Sequence, residues 1–156
     1  MINYLKKIGS DSKMSSHLAG EFTEWLNKIR TVLKNGGETD VACGTCVGCC
    51  SSGYFIQIKT SEYQTLKEIP KPLLFKDPNE ANQLILATQK NGHCSMLVDK
   101  KCKIYQNRPN TCRTYDCRIF SAAGILAGDA QKSEINSRVE AWQWDYSSQK
   151  SKILHT

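Results

Sequence analysis

The stretch 43–50, with the sequence CGTCVGCC, contains four cysteines: Cys43, Cys46, Cys49 and Cys50. The first two have the two-residue spacing with which a tight turn brings two thiolates to one metal ion, and Gly44 between them supplies the backbone freedom that such a turn needs. If the chain turns helical at Cys46, the other two lie three and four residues further on, on the same face. All four sulfurs are then expected to converge.

The remaining four cysteines follow later in the chain: Cys94, Cys102, Cys112 and Cys117. Adjacent thiols at positions 49 and 50 exceed what a single four-sulfur site needs, so the pattern predicts either two neighbouring sites or one polynuclear cluster. Eight cysteines at these spacings favour metal binding over buried free thiols or disulfides, which are the alternatives. All eight are therefore the predicted metal ligands.

The identity of the metal stays open at this stage, because soft thiolate ligands suit both Zn²⁺ and iron–sulfur clusters. The C-x2-C-x2-C run at Cys43, Cys46 and Cys49 is similar to three of the four cysteines in bacterial ferredoxin-type sites, which favours iron. Cys50 departs from that pattern, and paired zinc sites also use short cysteine spacings. The predicted cofactor is accordingly Zn²⁺ or Fe, the latter as an iron–sulfur cluster.

Length and composition exclude several classes of protein. A chain of 156 residues with 40% hydrophobic residues is long enough for one domain with its own core, so disulfide cross-links are not required for folding. No apolar run of about 18 residues exists, and the initial sequence MINYLKKIGSDSKMSS lacks the apolar core of a secretory signal. These features predict a cytoplasmic protein with no membrane partner, in a reducing compartment where clustered cysteines bind metals.

The formal net charge of +6 would ordinarily favour an acidic partner. Eight metal-bound thiolates would remove eight charges, however, and two divalent ions would restore four, leaving about +2. We expect the basic residues near the later cysteines to balance the thiolates. Metal ions are the predicted partners, nucleic acid is an unfavoured one because no helix with clustered arginines and lysines is evident, and no protein partner can be identified.

Amphipathic helices are predicted on both sides of the cysteine region. Apolar residues recur at helical spacing from Leu18 to Leu33, after a serine cap at position 15 or 16 and before a stop at residues 35–37. A second helix is predicted from Ser133 to Tyr146. Residues 1–14 and 147–156 are expected to be flexible.

Short strands and turns are predicted between these helices. Residues 54–58 indicate a strand, residues 61–64 open a brief helix, and residues 70–78 form a loop. A small antiparallel meander should follow, turning at residues 91–92 and again at residues 99–100 and carrying two of the cysteines on facing strands.

A last helix is predicted near Pro109, running through Cys112 to Ile119 or beyond, with Cys112 and Cys117 about 140° apart around it. The predicted fold class is α+β. The chain should form one small domain over residues 1–156, in which an irregular cysteine-rich metal-binding core at residues 43–117 and a short antiparallel sheet are flanked by amphipathic helices.

The cysteine motifs together resemble a known family. The octet at 43–50, a Cys-x-x-Leu at 94–97 and a C-x-I-Y-x-x-R-P-x-x-C-R-x-Y-x-C run at 102–117 are similar to the YkgJ-type CxxCxxCC cysteine-cluster family. The resemblance implies a zinc- or iron-chelating domain. A similar cysteine arrangement occurs in the flagellin lysine N-methylases, where an iron–sulfur cluster and a methyl donor are implicated, but those enzymes are much longer and their activity is not carried over.

The sequence therefore supports three functions. The first is a metal-binding protein in which eight cysteines chelate zinc or iron. The alternatives are an iron–sulfur-dependent enzyme or redox partner, related to the methylase cysteine domain, and a zinc module that binds nucleic acid. No nucleophile, general base and orienting group can be recognised together, so no catalytic residue is predicted and the chain is not assigned as an enzyme.

Overall fold

Helices and short strands alternate along residues 17–156, the part of the chain that this computed structural model describes, and they confirm the predicted α+β class for one small domain. The helices are α1 (Phe22–Asn35), α2 (Gly48–Ser51), α3 (Tyr63–Glu68), α4 (Asn110–Thr114), α5 (Arg118–Ala123), α6 (Ser133–Ala141) and α7 (Gln149–His155). The strands are β1 (His17–Glu21), β2 (Ile56–Lys59), β3 (Leu74–Lys76), β4 (Gln83–Leu86), β5 (Leu97–Val98), β6 (Lys101–Cys102) and β7 (Trp142–Asp145).

The first predicted helix is confirmed over most of its length but begins later than expected. It ends at Asn35, as predicted, and its buried side chains are Phe22, Trp25, Ile29 and Val32. Residues 17–21 form β1 instead of a first helical turn. Gly20 has a φ of 97°, which a right-handed helix does not allow, and the strand pairs with β7. The predicted serine cap falls outside the described residues.

The helix predicted from Ser133 to Tyr146 is wrong in its last five residues. It ends at Ala141, and the next four residues form β7, which pairs in parallel with β1 so that His17 lies opposite Trp142. Trp142 and Trp144 point to the same side of β7, because side chains two residues apart share one face of a strand. Residues 149–155 form α7, whose N-cap is the Ser148 side chain, while the mobility expected for residues 147–156 stays a prediction.

The predicted loop at residues 70–78 is also wrong, because residues 74–76 form the edge strand of a three-stranded antiparallel sheet. In this sheet β4 lies between β2 and β3, with Ile58 opposite Leu84 and Leu74 opposite Leu86. The meander is only partly correct. Its second turn joins β5 to β6 with positive φ at both central residues, as a two-residue hairpin requires. At the first turn, the chain that follows β4 pairs with the next segment through an isolated bridge between Thr88 and Cys94.

The helix predicted from Pro109 is interrupted after Thr114. Tyr115 is extended, with a ψ of 130°, and α5 starts only at Arg118. The Thr39 hydroxyl donates to the Tyr115 carbonyl at 3.0 Å, so this carbonyl bonds to another segment of the chain instead of to a following turn. Cys112 and Cys117 therefore belong to different elements and do not share one helix.

The hydrophobic core consists of separate clusters, and the cysteines lie where two of them meet. Cys49 and Cys117 pack with the cluster formed around α6 and β7, which includes Ile135 and Trp142. Cys94 and Cys102 pack against the cluster of the three-stranded sheet. None of the helices within residues 17–156 combines the length and the apolarity that crossing a membrane requires.

Candidate metal centre

The first cysteine group sits on a turn that passes directly into α2. The Cys46 amide donates to the Cys43 carbonyl at 2.9 Å, and the Gly48 amide donates to the Cys46 sulfur at 3.4 Å. Gly48 is buried against α6, where a Cβ atom would come within 3.1 Å of the Ile135 side chain. This close approach accounts for glycine at position 48 and brings the turn against the first core cluster.

The second group reaches the same place from three other elements. The Cys94 amide donates to the Cys50 carbonyl at 2.7 Å, which joins the two groups through the backbone. Cys102 ends β6, Cys112 lies in α4, and Cys117 directly precedes α5. The backbone contact between Cys94 and Cys50 brings together two cysteines that are far apart in sequence.

Two buried charges behind Cys117 hold this part of the chain in place. The Asp116 carboxylate accepts hydrogen bonds from the Arg118 guanidinium at 2.7 Å and from the Trp25 indole at 3.0 Å. Arg118 also donates to Asp40 at 2.7 Å, in the segment that leads to the first cysteine. The network fixes the ends of both cysteine-bearing segments relative to α1.

One set of four thiols surrounds a small cavity of about 30 Å³. We call them the cavity cysteines: Cys43, Cys46, Cys49 and Cys117. The rest of the wall is made by Val41, Tyr115, Ile135 and Arg138. A volume of this size is large enough to admit a water molecule, and thus one small ion.

The other four thiols are linked by their electrostatic influence on one another's pKa. We call them the hairpin cysteines: Cys50, Cys94, Cys102 and Cys112. Burial raises the pKa of Cys112 to about 12, with further contributions from Cys49, Cys94 and Cys102. Charge at Cys94 and Cys102 also contributes to the raised pKa of Cys50, whose largest cause is its hydrogen bond with Cys49.

Cys49 is the thiol that both sets share. Its charge contributes to the raised pKa of Cys43 and of Cys112, which belong to different sets. The Cys50 side chain stabilises the Cys49 thiolate by a hydrogen bond, which lowers the pKa of Cys49 to about 7. Position 49 therefore lies between two neighbouring groups of sulfurs.

Most of these thiols resist deprotonation without a cation. Cys43 belongs to an exposed turn but its thiol faces the cavity, and desolvation there raises its pKa to about 11, followed in effect by charge at Cys49 and Cys117. Burial also raises the pKa of Cys94, Cys102 and Cys117. Thiolates so crowded in a desolvated region need positive charge nearby, and a bound metal ion supplies it.

Two arginines supply part of that charge, one at each set. Arg138 lowers the pKa of Cys43 and Cys117, although burial dominates at both. Arg108 has the same effect on Cys102 and Cys112. Arg113 is one of the basic residues near the later cysteines, but it donates to the backbone carbonyls of Arg108 and Gln106 and pairs with Glu38.

Residues 17–156 contain all eight cysteines, and none of these forms a disulfide. Within the same residues, no three His, Cys, Asp or Glu side chains have the arrangement that holds a metal ion. Some sulfurs make local contacts: Cys46 accepts from Gly48, and Cys117 accepts from the Trp142 indole at 3.3 Å. Binding a metal therefore requires these side chains to rotate, and the assignment of the eight cysteines as ligands stays a prediction.

The donor set nevertheless fits a sulfur-preferring cation. Four thiols face one cavity, four more are adjacent, and the buried Nε of Arg138 has no hydrogen-bond partner among the described residues. Sequence reasoning missed both Arg138 and Tyr115. Tyr115 lies within the 102–117 motif, two residues before Cys117, and that position is the signal that could have indicated it. Arg138 could not have been found from spacing, because it is separated from the cysteine motifs and reaches the cavity only through the packing of α6.

Comparison with models of protein families identifies the family of this chain. Residues 42–142 match the model of the CxxCxxCC family, described as "Putative zinc- or iron-chelating domain". The match covers more than half of the chain and includes all eight cysteines, so the protein belongs to this family. Searches of curated proteins and of solved structures give no match.

Proposed function

We propose that the protein binds zinc or iron through its eight cysteines in two four-sulfur sites. The cavity cysteines form the first site and the hairpin cysteines form the second. The observation that carries this proposal is the cavity whose wall contains four thiols, Cys43, Cys46, Cys49 and Cys117, which is the number that a tetrahedral structural site requires.

The hairpin site is supported by the electrostatic coupling of its members. Cys94 and Cys102 both contribute to the raised pKa of Cys50 and of Cys112, and the Cys94 amide donates to the Cys50 carbonyl at 2.7 Å. A metal ion bound there would connect α2, the β5–β6 hairpin and α4. The metal supplies positive charge and cross-linking between elements that share few other contacts.

The same geometry also supports a second function, an iron–sulfur protein that handles electrons. The C-x2-C-x2-C run at Cys43, Cys46 and Cys49 lies entirely within the wall of one cavity, which suits a cluster held by one short segment. Tyr115 and Ile135 line the same cavity. The chain's own contribution would be to bind and shield such a cluster.

Both functions are tested by anaerobic purification followed by elemental analysis and visible spectroscopy. We expect about two equivalents of zinc per chain for two mononuclear sites, and a brown protein with sulfur-to-iron absorption for a cluster. Less than about half an equivalent of zinc and iron together, with eight freely titratable thiols, contradicts metal binding altogether.

The division into two sites is tested by paired variants. Cys46→Ser and Cys102→Ser are each expected to lose about one of two equivalents of metal, while the double variant loses both. Thr45→Ala is a matched control, because Thr45 is exposed in the same turn and no cysteine is changed. If each single variant lost all of the metal, the eight sulfurs would form one polynuclear cluster instead.

A further inference from the structure

Arg138 is held at the cavity wall by contacts on several sides. Its Nη1 lies 2.8 Å from Nε2 of His17, its Nη2 donates to the Ala42 carbonyl, and its guanidinium carbon lies 4.8 Å from the centre of the Trp142 ring. These contacts fix the plane of the guanidinium. They also connect it to the residue immediately before the first cysteine.

The Nε–H group of the same side chain is buried without a hydrogen-bond partner among residues 17–156. An unpaired donor in a buried position is costly, and the cost is larger when the group carries charge. The rest of the wall of this cavity consists of two apolar residues, Val41 and Ile135, of Tyr115 and of the four cavity cysteines. The sulfurs are therefore the most abundant acceptors on that wall, and as metal-bound thiolates they would accept more strongly than as thiols.

The charge balance of a four-thiolate site independently supports a role for Arg138 at the cavity. Four thiolates around a divalent cation carry a net charge of about −2, which a desolvated site cannot hold without compensation. Arg138 is the only cationic side chain among the described residues of the cavity wall, so it is the group on that wall that can supply this compensation.

We infer that Arg138 is a positioning residue of the cavity site, whose Nε–H donates to a ligand sulfur and whose charge balances the bound thiolates. The inference rests on the proposed function and adds a residue from outside the cysteine motifs. In metal sites, such supporting hydrogen bonds typically change affinity by about 10- to 100-fold. Arg138 thus makes the cavity site distinct from the hairpin site, which faces Arg108.

The test uses the full chain loaded with Co²⁺, whose sulfur-to-cobalt absorption reports each ligand's charge and hydrogen bonding. Arg138→Gln is expected to weaken Co²⁺ binding at one of the two sites by about 10- to 100-fold in chelator competition, and to shift the absorption of that site alone. Arg138→Lys keeps the charge but lacks the Nε–H, so we expect it to restore most of the affinity and not the absorption.

Arg108→Gln serves as the matched control, because it removes an arginine whose charge acts on two of the hairpin cysteines, Cys102 and Cys112. This variant should leave Co²⁺ binding at the cavity site unchanged. The absorption of the cavity site is identified as the part of the spectrum that is lost in Cys46→Ser. Unchanged affinity and absorption in Arg138→Gln would overturn the inference while leaving the proposed function intact. A wild-type chain that binds no Co²⁺ would overturn both, so the two failures are distinguishable.

Discussion

Asp116 and Arg118 are almost completely buried, with 3% and 6% of their surfaces exposed. An ion pair taken out of water is stable only if its remaining hydrogen-bonding groups are satisfied, and here Trp25, Asp40 and the Ala19 carbonyl complete the network. The pair therefore adds little net stability as a pair, but removing one member leaves the other charge buried without its partner.

Asp116→Asn is accordingly expected to lower the free energy of unfolding by about 3 kcal/mol, because the Arg118 charge loses its closest counterion. Urea unfolding of the purified protein measures this change. Lys28→Met is the contrasting variant: Lys28 pairs with Asp40 at 2.6 Å, but 49% of its side chain is exposed, so the expected loss is below about 1 kcal/mol. Equal losses in the two variants would contradict the distinction.

At the scale of the element, one carboxylate connects both ends of the described chain. Glu21 Oε2 accepts from the Glu24 amide at 2.8 Å and caps α1, while Oε1 accepts from Ser151 at 2.6 Å and from the Ser147 amide at 3.1 Å. The hydrogen bond from Ser151 is the largest cause that lowers the pKa of Glu21, to about 2, from its usual 4.5.

A lowered pKa in the folded state means that the carboxylate stabilises the fold above pH 4.5 and that this contribution is lost as pH falls towards 2. We expect Glu21→Gln to be less stable than wild type at pH 6 and to lose less stability than wild type between pH 4.5 and pH 2. Thermal unfolding across this range measures both curves. Parallel curves of stability against pH for the two proteins would show that protonation of Glu21 is not coupled to unfolding.

The elements that the sequence predicted correctly are those governed by local patterns. The apolar stripe of α1, the brief helix before Pro70 and the two-residue turn at residues 99–100 each follow from a few adjacent residues. The errors at β1, β3 and β7 have another cause. Each of these strands is stabilised by a partner far away in sequence, and no local pattern identifies that partner.

The interruption at Tyr115 illustrates the same limit for the site. Local propensity favours a continuous helix from residue 110 onwards, whereas contacts with Thr39 end it and redirect Cys117 towards the cavity. The sequence could name the eight cysteines as candidates from their spacing. It could not divide them into two sets or find Arg138, because both depend on how α2, α4 and α6 pack.

For the whole molecule, the stability of the metal-free protein should fall at alkaline pH, whereas the metal content of the loaded protein should fall at acid pH. In the metal-free protein, burial raises the pKa of Cys43 to about 11 and of Cys112 to about 12, from an ordinary value of 9.0. The unfolded chain then releases these protons at lower pH than the folded chain does. The contribution of the buried thiols is therefore complete below pH 9 and is lost as pH rises through 11 to 12.

We expect the Tm of the metal-free protein to fall by about 5 °C or more between pH 9 and pH 11. The metal-loaded protein should show no such fall in this range, because its thiols are already deprotonated, and should instead lose metal and stability in acid, where protons compete for the sulfurs. Calorimetry of both forms at matched pH measures the difference. Identical alkaline profiles would be inconsistent with thiolate ligation.

The parallel pairing of β1 with β7 also constrains the order of events when the protein is made. Trp142 and Arg138, which close the region around Cys117, can dock on β1 only after residue 145 has left the ribosome. Every thiol has emerged before that moment. During synthesis Cys117 is thus without its Trp142 hydrogen bond for an interval, which ends when β7 pairs with β1.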